Sequence, residues 1–285
     1  MKYKSYIQLL RPKHYLKNVL VFLPLIFSGE LLNAHHLASS IVAFLTFSMV
    51  ASSVYIINDL RDKDLDALHP TKKSRPLASG DVNSLAAILL LVVLLGTASF
   101  LQYFVGFSFI NVGLLVFYLS INILYSFGLK NIPIVDVLIL SLGFVIRVLY
   151  GGSSIGVEVS KWLYLTVLAF SFYLGLGKRR NEIRKVGTIT RKVNKHYNQD
   201  YLDKNMYVCL GLTIAYYSLW AVDSTQKHKL MFLTIPVIIA IVMAYSLAIE
   251  SSDSDGDPVS VVLNNRHLLI LIVFCGLLMT CLVYV

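Results

Sequence analysis

Long apolar runs, separated by short polar segments, dominate the chain from its first residues to its last. A segment needs roughly 17–25 mostly apolar residues to cross the bilayer as an α-helix. Runs of about this length occur at 17–33, 37–57, 84–104, 107–127, 133–151, 161–177, 207–223, 230–249 and 267–285. The pattern therefore predicts an all-α, polytopic membrane protein with about nine transmembrane helices, forming a single domain over residues 1–285.

The composition supports a membrane protein. Apolar residues make up 56% of the chain and charged residues 14%, whereas soluble domains usually carry about 25% charged residues. The three cysteines lie in apolar stretches without metal-type spacing, so we interpret them as small packing residues. The N-terminal segment 1–18 has no apolar core before its charges. It is predicted to form a short helix in the membrane interface, not a cleaved signal peptide.

The basic residues are distributed asymmetrically between the two ends of the predicted helices. Of the 25 lysines and arginines, 21 fall in the N-terminal tail and in the loops 58–83, 128–132, 178–206 and 250–266. Lys161, Lys227 and Lys229 lie on the opposite side. This bias predicts a cytoplasmic N-terminus. It also explains the net charge of +9 by topology and anionic lipid, without nucleic acid.

An acidic stripe follows the second predicted span. At about 100° per residue, Asp59, Asp62 and Asp66 lie within about 60° of one another on a continued helix. Such carboxylates repel one another unless a cation binds between them, and oxygen ligands of this kind suit Mg²⁺. The alternative is a solvated helix end whose carboxylates form local salt bridges.

A basic segment follows a few residues later. Lys72, Lys73 and Arg75 lie between Pro70 and Pro76, which predict a loop. Lysine provides a point charge, and arginine a planar fork that matches phosphate oxygens. Carboxylates for a metal beside cations for an anion are what a departing Mg²⁺–diphosphate requires.

These two segments resemble a known family. NDLRDKDLD at 58–66 is similar to the NDxxDxxxD signature of UbiA-type intramembrane prenyltransferases, and HPTKKSRPLASG is similar to its usual continuation. The resemblance covers essentially the whole chain. It implies nine transmembrane helices around a central cavity, with Mg²⁺ as cofactor held by Asn58, Asp59, Asp62 and Asp66.

The segment after the sixth predicted span departs from that family's pattern. Most members carry a second aspartate-rich motif there, whereas GKRRNEIRK at 177–185 contains five basic residues and only Glu182 as an acid. We therefore expect Lys178, Arg179 and Arg180 to bind an anion directly. The alternative is ordinary cytoplasmic charge at a helix end.

With this departure, the chain resembles the decaprenyl-phosphate phosphoribosyltransferases. The segments that carry this resemblance are Pro12–Asn18, Tyr125–Lys130 and Leu176–Glu182. That resemblance implies Mg²⁺-dependent transfer of 5-phosphoribosyl from phosphoribosyl diphosphate to a polyprenyl phosphate in the plasma (inner) membrane. The loops 58–83 and 178–206 would then form the cytoplasmic active site. The predicted substrate-binding residues are Lys17, Asn58, Lys72, Lys73, Arg75, Tyr125, Lys130, Asp136, Arg147, Lys178, Arg179, Arg180 and Glu182.

Two charged residues lie within the fifth predicted span. Asp136 and Arg147 are eleven residues apart and so share a helix face. A lone charge in mid-bilayer costs about 2.5–3.5 kcal/mol on insertion scales, which favours a role at the cavity. Asp136 is expected to orient Lys130 or to reach the substrate. The alternative is a purely structural set of buried contacts.

Two other functions are considered. A UbiA-type aromatic prenyltransferase, with a polyprenyl diphosphate donor, would carry several aspartates within 178–186. A lipid transporter would show internal repeats and broken helices around midplane charges; no clear repeat is found, and the acidic stripe lies at the interface.

Overall fold

The computed structural model describes residues 2–68, 72–106, 108–186, 192–224, 230–251, 254 and 256–284. Within these ranges the chain is helical, which confirms the predicted fold class. The α-helices are α1 (Lys2–Leu10), α2 (Leu23–Phe27), α3 (Ala34–Arg61), α4 (Lys63–Ala67), α5 (Ser84–Val105), α6 (Phe109–Phe127), α7 (Val135–Ser154), α8 (Lys161–Val186), α9 (Gln199–Asp223), α10 (Ile235–Glu250), α11 (Pro258–Asn264) and α12 (Arg266–Tyr284). Short 3₁₀ helices cover Pro12–Phe22, Lys72–Ser74, Leu129–Asn131, Lys192–His196 and Met231–Thr234.

Seven helical segments of the described chain are long and apolar enough to cross a membrane: α3, α5, α6, α7, α9, α12 and the segment Met231–Glu250 that contains α10. They correspond to seven of the nine predicted spans, so the number nine stays a prediction. The first predicted span, 17–33, is not one long helix, since it consists of the end of a 3₁₀ helix followed by the five-residue α2. The sixth lies in α8, which continues from its apolar half into a charged one.

Residues 1–129 and 146–158 form one compact unit, called unit 1. Its central helix is α3, which packs against α1, α5, α6 and the 3₁₀ helix Pro12–Phe22. The buried face of α3 is rich in serine and alanine, and small residues let helix backbones approach closely in a membrane. Leu9 of α1 is buried against Ile56 and Leu77, so this predicted interface helix is also part of the core.

Residues 130–145 and 159–285 form a second compact unit, unit 2. Here α8 packs along α9, and α10 packs against α9, α11 and α12. Tyr173, Leu202 and Ile249 belong to its buried apolar core. Helix α7 contributes to both units, because its residues up to Val145 belong to unit 2 and those from Ile146 onwards to unit 1.

Candidate functional site

The acidic stripe, Asp59, Asp62 and Asp66, crosses the join between α3 and α4. The backbone N–H of Asp62 donates to Asn58 O (2.9 Å), and that of Asp66 donates to Asp62 O (2.8 Å). These bonds preserve helical spacing across the join, as predicted from the sequence. Asp59 and Asp66 are only 2% and 4% exposed, so these carboxylates are not solvated, although Asp66 does form the local ion pair with Lys72 that the alternative includes.

Two arginines hold the buried carboxylates of this stripe. Arg75 Nη1 donates to Asp59 Oδ1 (3.0 Å) and to Asp66 Oδ2 (2.6 Å), which bridges the two side chains. Arg11 Nη2 donates to the same Asp59 oxygen (2.6 Å), and its guanidinium lies over the ring of Tyr55. Arg11 also has a left-handed backbone, with φ of 55°, a conformation that a non-glycine residue rarely adopts without a local reason.

The basic segment after α4 reaches the same stripe. Lys72 Nζ lies 4.0 Å from Asp66 Oδ1, whereas Lys73 is exposed. Leu77 is buried in the core of unit 1, and this anchors the segment that carries Arg75. The structure therefore brings Lys72 and Arg75 to the carboxylates. His69, Pro70 and Thr71 lie outside the described residues.

The donor atoms of the stripe fit a magnesium ion. They are carboxylate oxygens, and Asn58 on the last turn of α3 adds an amide oxygen that accepts a hydrogen bond from Ser126 Oγ (3.0 Å). Among the described residues, no group of three or more His, Cys, Asp or Glu side chains is close enough to hold a metal by itself. Mg²⁺ commonly takes only one or two carboxylates and completes its shell with water and substrate phosphates, so the limited donor set is compatible with it.

The basic segment of unit 2 is a helix in the structure, since α8 continues to Val186. Each of its first three cations pairs with a carboxylate. Lys178 Nζ lies 3.8 Å from Asp257 Oδ1, and Arg180 Nε pairs with Asp203 Oδ1. Arg179 is completely buried. The alternative of ordinary cytoplasmic charge at a helix end therefore does not apply to this residue.

A buried network surrounds Arg179. Its Nε donates to Asp136 Oδ2 (2.6 Å), and its Nη1 donates to Glu182 Oε2 (2.6 Å). The Tyr197 hydroxyl donates to Asp136 Oδ1 (2.7 Å) and accepts a hydrogen bond from the Ile134 N–H (2.6 Å). Burial raises the pKa of Tyr197 above its ordinary value. The phenol therefore stays protonated at neutral pH and keeps this donor role.

The other intramembrane charge has a separate environment in unit 1. Arg147 Nε donates to Asn18 Oδ1 (2.8 Å), and Nη2 donates to the Tyr118 hydroxyl (3.1 Å). Its guanidinium also lies over the rings of Phe47 and Tyr118. Thus Asp136 and Arg147 are both buried, but each has its own set of partners, which favours the structural alternative for both side chains.

The remaining predicted site residues lie in 3₁₀ helices or at the end of α6. Lys17 lies in the 3₁₀ helix Pro12–Phe22 next to Asn18, and Tyr125 is half-buried in the last turn of α6. Lys130 is half-buried in the 3₁₀ turn Leu129–Asn131.

Sequence reasoning missed Arg11, Tyr197, Asp203 and Asp257 as partners of predicted site residues. Arg11 lies 48 residues from Asp59, and Tyr197 lies 61 residues from Asp136. No local spacing connects residues so far apart along the chain, so these contacts could not be predicted from the sequence.

Comparison with known proteins places these features in a family. The family described as UbiA prenyltransferase family matches residues 21–265. Decaprenyl-phosphate phosphoribosyltransferase from Corynebacterium glutamicum is 30% identical over 282 residues, covering 94% of this chain and 84% of the relative. The protein of the same name from Mycolicibacterium smegmatis is 32% identical over 284 residues, covering 93% and 88%.

The fold is also that of a solved structure. A UbiA homologue from Archaeoglobus fulgidus, bound to DMAPP and Mg²⁺, superimposes with a TM-score of 0.71 at 21% identity and covers 98% of each chain. At this identity the likeness concerns the fold. The family match covers most of the chain, and the two curated relatives span nearly all of it. The chain therefore belongs to the UbiA prenyltransferase family.

Proposed function

We propose that this protein transfers the 5-phosphoribosyl group from phosphoribosyl diphosphate to a polyprenyl phosphate of the decaprenyl type. The products are polyprenyl-phosphoryl-5-phosphoribose and diphosphate. The observation that carries the proposal is the identity of about 30% over nearly the whole chain with decaprenyl-phosphate phosphoribosyltransferases. The basic sequence at 178–185 supports it, because an aromatic prenyltransferase is expected to carry several aspartates there.

The proposed reaction exchanges one bond at the ribose C1. The bond from C1 to a diphosphate oxygen breaks with its electron pair leaving on the diphosphate, and a bond to an oxygen of the lipid phosphate forms. Positive charge develops on the sugar as an oxocarbenium-like state. A phosphate monoester is ionised at neutral pH, so the acceptor needs no general base.

The cations around the acidic stripe are suited to the leaving group. Arg75 and Arg11 are about three-quarters buried, and guanidinium groups bind phosphate oxygens through two parallel hydrogen bonds. Lys72 adds a third positive charge nearby. These side chains bind and orient the diphosphate and stabilise its growing negative charge as it departs.

A Mg²⁺ ion fits the oxygens of Asn58, Asp59, Asp62 and Asp66, and when bound it supplies charge stabilisation to the departing diphosphate. Solved UbiA homologues bound to Mg²⁺ support a divalent cofactor. The arginines then help to set its position, because they hold Asp59 and Asp66 in place.

The basic end of α8 has two proposed roles. Lys178 and Arg180 form partly exposed pairs and are assigned to binding substrate phosphates. Arg179 is fully buried and pairs with Asp136 and Glu182, so its role is to stabilise the conformation of the C-terminal end of α8. The bias in basic residues supports an N-terminus and an active site on the cytoplasmic side of the plasma (inner) membrane.

The test is a transfer assay with purified protein in detergent or nanodiscs. Phosphoribosyl diphosphate labelled in the ribose is incubated with polyprenyl phosphate and Mg²⁺, and label is measured in the organic phase. We expect lipid-linked label that is lost when EDTA is added. Absence of label, together with prenyl transfer from a polyprenyl diphosphate to 4-hydroxybenzoate, would overturn the proposal in favour of an aromatic prenyltransferase.

A further inference from the structure

The turn between α1 and the 3₁₀ helix Pro12–Phe22 places Arg11 in an unusual backbone conformation. Its φ and ψ are both 55°, in the left-handed region that non-glycine residues seldom occupy. Pro12 disfavours the right-handed helical conformation for the residue before it, so α1 does not continue through Arg11. Left-handed backbone of this kind persists only where the surrounding structure enforces it. Contacts from outside this segment are therefore expected to hold the turn.

The hydroxyl of Ser52 on α3 makes such contacts. Its Oγ donates to Leu10 O at 2.9 Å, directly before Arg11, and lies 2.9 Å from the hydroxyl of Tyr15. A serine hydroxyl has one hydrogen. Because the Leu10 carbonyl takes that hydrogen, the Tyr15 hydroxyl is the donor in the second bond. Ser52 is completely buried, and this one side chain holds the chain on both sides of Arg11.

The face of α3 that carries Ser52 also carries the partners of the Arg11 side chain. Tyr55 and Asp59 follow Ser52 by three and seven residues, which is the spacing of one helix face. The Arg11 guanidinium lies 4.9 Å from the ring centroid of Tyr55, and its Nη2 donates to Asp59 Oδ1 at 2.6 Å. The backbone beside Arg11 is thus fixed about two helical turns from the carboxylate that the side chain reaches. All of these residues belong to unit 1.

Other contacts keep the same segment on α3 independently of Ser52. Asn18 Nδ2 donates to Ser48 Oγ at 2.9 Å, one turn before Ser52, and both of these side chains are buried. Leu9 of α1 is buried in the core of unit 1. Loss of the Ser52 hydroxyl is therefore expected to loosen the turn at Arg11 while α1 and the 3₁₀ helix stay attached.

We propose that Ser52 is a positioning residue for phosphoribosyl transfer. Its hydroxyl fixes the backbone on both sides of Arg11 and so holds the guanidinium beside Asp59, where it binds the diphosphate of the donor. The inference rests on the proposed function in assigning Arg11 to that diphosphate. It adds a buried side chain that acts on the donor through Arg11.

The first experiment measures the turn without turnover. Hydrogen–deuterium exchange followed by mass spectrometry is compared for the unaltered protein and for Ser52→Ala in detergent. The N–H of Arg11 donates to Gln8 O and that of His14 donates to Arg11 O, so both amides report on the turn. We expect exchange in the peptide that contains them to rise roughly tenfold, because two hydrogen bonds are lost.

Ser53→Ala is the matched control. Ser53 is also completely buried, but its Oγ donates to Met49 O within α3 at 2.9 Å. The substitution removes the same atom from the neighbouring residue and is expected to leave exchange at Arg11 unchanged. Tyr15→Phe removes only the bond from Tyr15 to Ser52, and it should raise exchange in the same peptide by a smaller factor. If Ser52→Ala does not fold, Tyr15→Phe decides the same question.

The second experiment separates positioning from general loss of structure. In the transfer assay, Ser52→Ala is expected to raise the KM for phosphoribosyl diphosphate about tenfold, since a hydrogen bond to a charged group is worth at least about this factor. The KM for polyprenyl phosphate and the melting temperature should stay unchanged. A general structural defect would lower the fraction of active protein, and with it kcat, without changing either KM.

The third experiment is a double-mutant cycle, which measures whether two side chains act through each other. Arg11→Gln alone is expected to raise the donor KM. Because Ser52 acts through Arg11, Ser52→Ala should add no further rise in the Arg11→Gln background.

Unchanged exchange in Ser52→Ala, or an equal rise in Ser53→Ala, would overturn the role of Ser52 in holding the turn. An unchanged donor KM in Ser52→Ala, or the same rise with and without Arg11, would overturn the positioning of Arg11. If the unaltered protein transfers no phosphoribosyl group at all, the proposed function fails, and the exchange experiment still decides whether Ser52 holds the turn.

Discussion

The acidic stripe of unit 1 and the Arg179 network of unit 2 both consist of arginine–carboxylate ion pairs. They differ in the solvent exposure of the arginine. In the stripe, the buried groups are carboxylates, and the arginines that bind them keep about a quarter of their side-chain surface exposed. In the network, Arg179 and its main partner Asp136 are both completely buried. These ion pairs are of nearly equal length, but the arginine has access to solvent only in the stripe.

The difference separates a group that is available for a ligand from one that is part of the scaffold. A guanidinium with access to water can rearrange and bind phosphate, because its own charge is solvated when it leaves its carboxylate. In the stripe, the buried carboxylate that Arg75 would leave still has a second cation, Arg11 beside Asp59 and Lys72 beside Asp66. A completely buried pair cannot separate without leaving an uncompensated charge, which is strongly unfavourable. We therefore assign Arg75 and Arg11 to the substrate and Arg179 to the fold.

The largest expected effect concerns the acidic stripe, which this comparison assigns to ligand binding. Asp62→Ala should lower kcat by at least about 10³-fold, since charge stabilisation by a metal supplies several kcal/mol. The melting temperature should change little. Asp64→Ala is the control, because Asp64 is exposed and lies off the stripe. Full activity in Asp62→Ala, measured as labelled lipid per minute, would refute the metal assignment.

The second prediction concerns the Arg179 network, which the comparison assigns to the stability of the fold. Arg179→Met should lower the free energy of unfolding by about 3–5 kcal/mol, because Asp136 is left buried without its charge partner. Arg180→Met is the matched control, and it should lower the free energy of unfolding by less, since its partner Asp203 is 30% exposed and can be solvated when the arginine is removed. Thermal denaturation in detergent measures both. Equal losses in the two variants would contradict the distinction.

The third prediction concerns the arginine that bridges the stripe. Arg75→Gln should lower kcat/KM for phosphoribosyl diphosphate about 100-fold, since hydrogen bonds to charged groups are worth about 1.5–3 kcal/mol each. Arg75→Lys should recover only part of this loss, because lysine has no planar fork. Arg61→Gln, which changes an exposed arginine over Phe127, serves as the control. A stability loss in Arg75→Gln as large as that in Arg179→Met would make Arg75 a scaffold residue instead.

The smallest expected effect belongs to Lys178. Its pair with Asp257 is 3.8 Å long and the lysine side chain is 31% exposed, so Lys178→Gln should change stability by less than about 1 kcal/mol. The donor KM should rise only a few-fold, and this rise should shrink with added salt, because exposed charges are screened. A donor KM insensitive to the substitution would remove Lys178 from the substrate-binding set.

Local patterns explain what could be predicted. The acidic stripe could be predicted because Asp59 and Asp66 are seven residues apart and helical spacing continues across the join of α3 and α4. Arg75 could be predicted because it follows nine residues after Asp66. Helical periodicity and short loops make such neighbours predictable from the sequence.

The first apolar run, 17–33, was predicted as one helix, since hydropathy measures apolar content and not backbone shape. In the structure, Gly151 of α7 approaches the carbonyl of Val21 so closely that a Cβ there would lie 2.0 Å from the oxygen. A separate short helix, α2, then begins at Leu23, with Pro24 in its first turn.

The sequence by itself determined the membrane class, seven of the spans, the family and the helical spacing of the acidic stripe, because each depends on composition or on local spacing along the chain. Only the tertiary structure decided which charges belong to the scaffold. Lys178, Arg179 and Arg180 are consecutive, yet only Arg179 is fully buried. The physical reason is that successive residues of a helix point about 100° apart. Their burial therefore depends on which element packs against each side, and Asp136 and Tyr197 lie 43 and 18 residues from Arg179 along the chain.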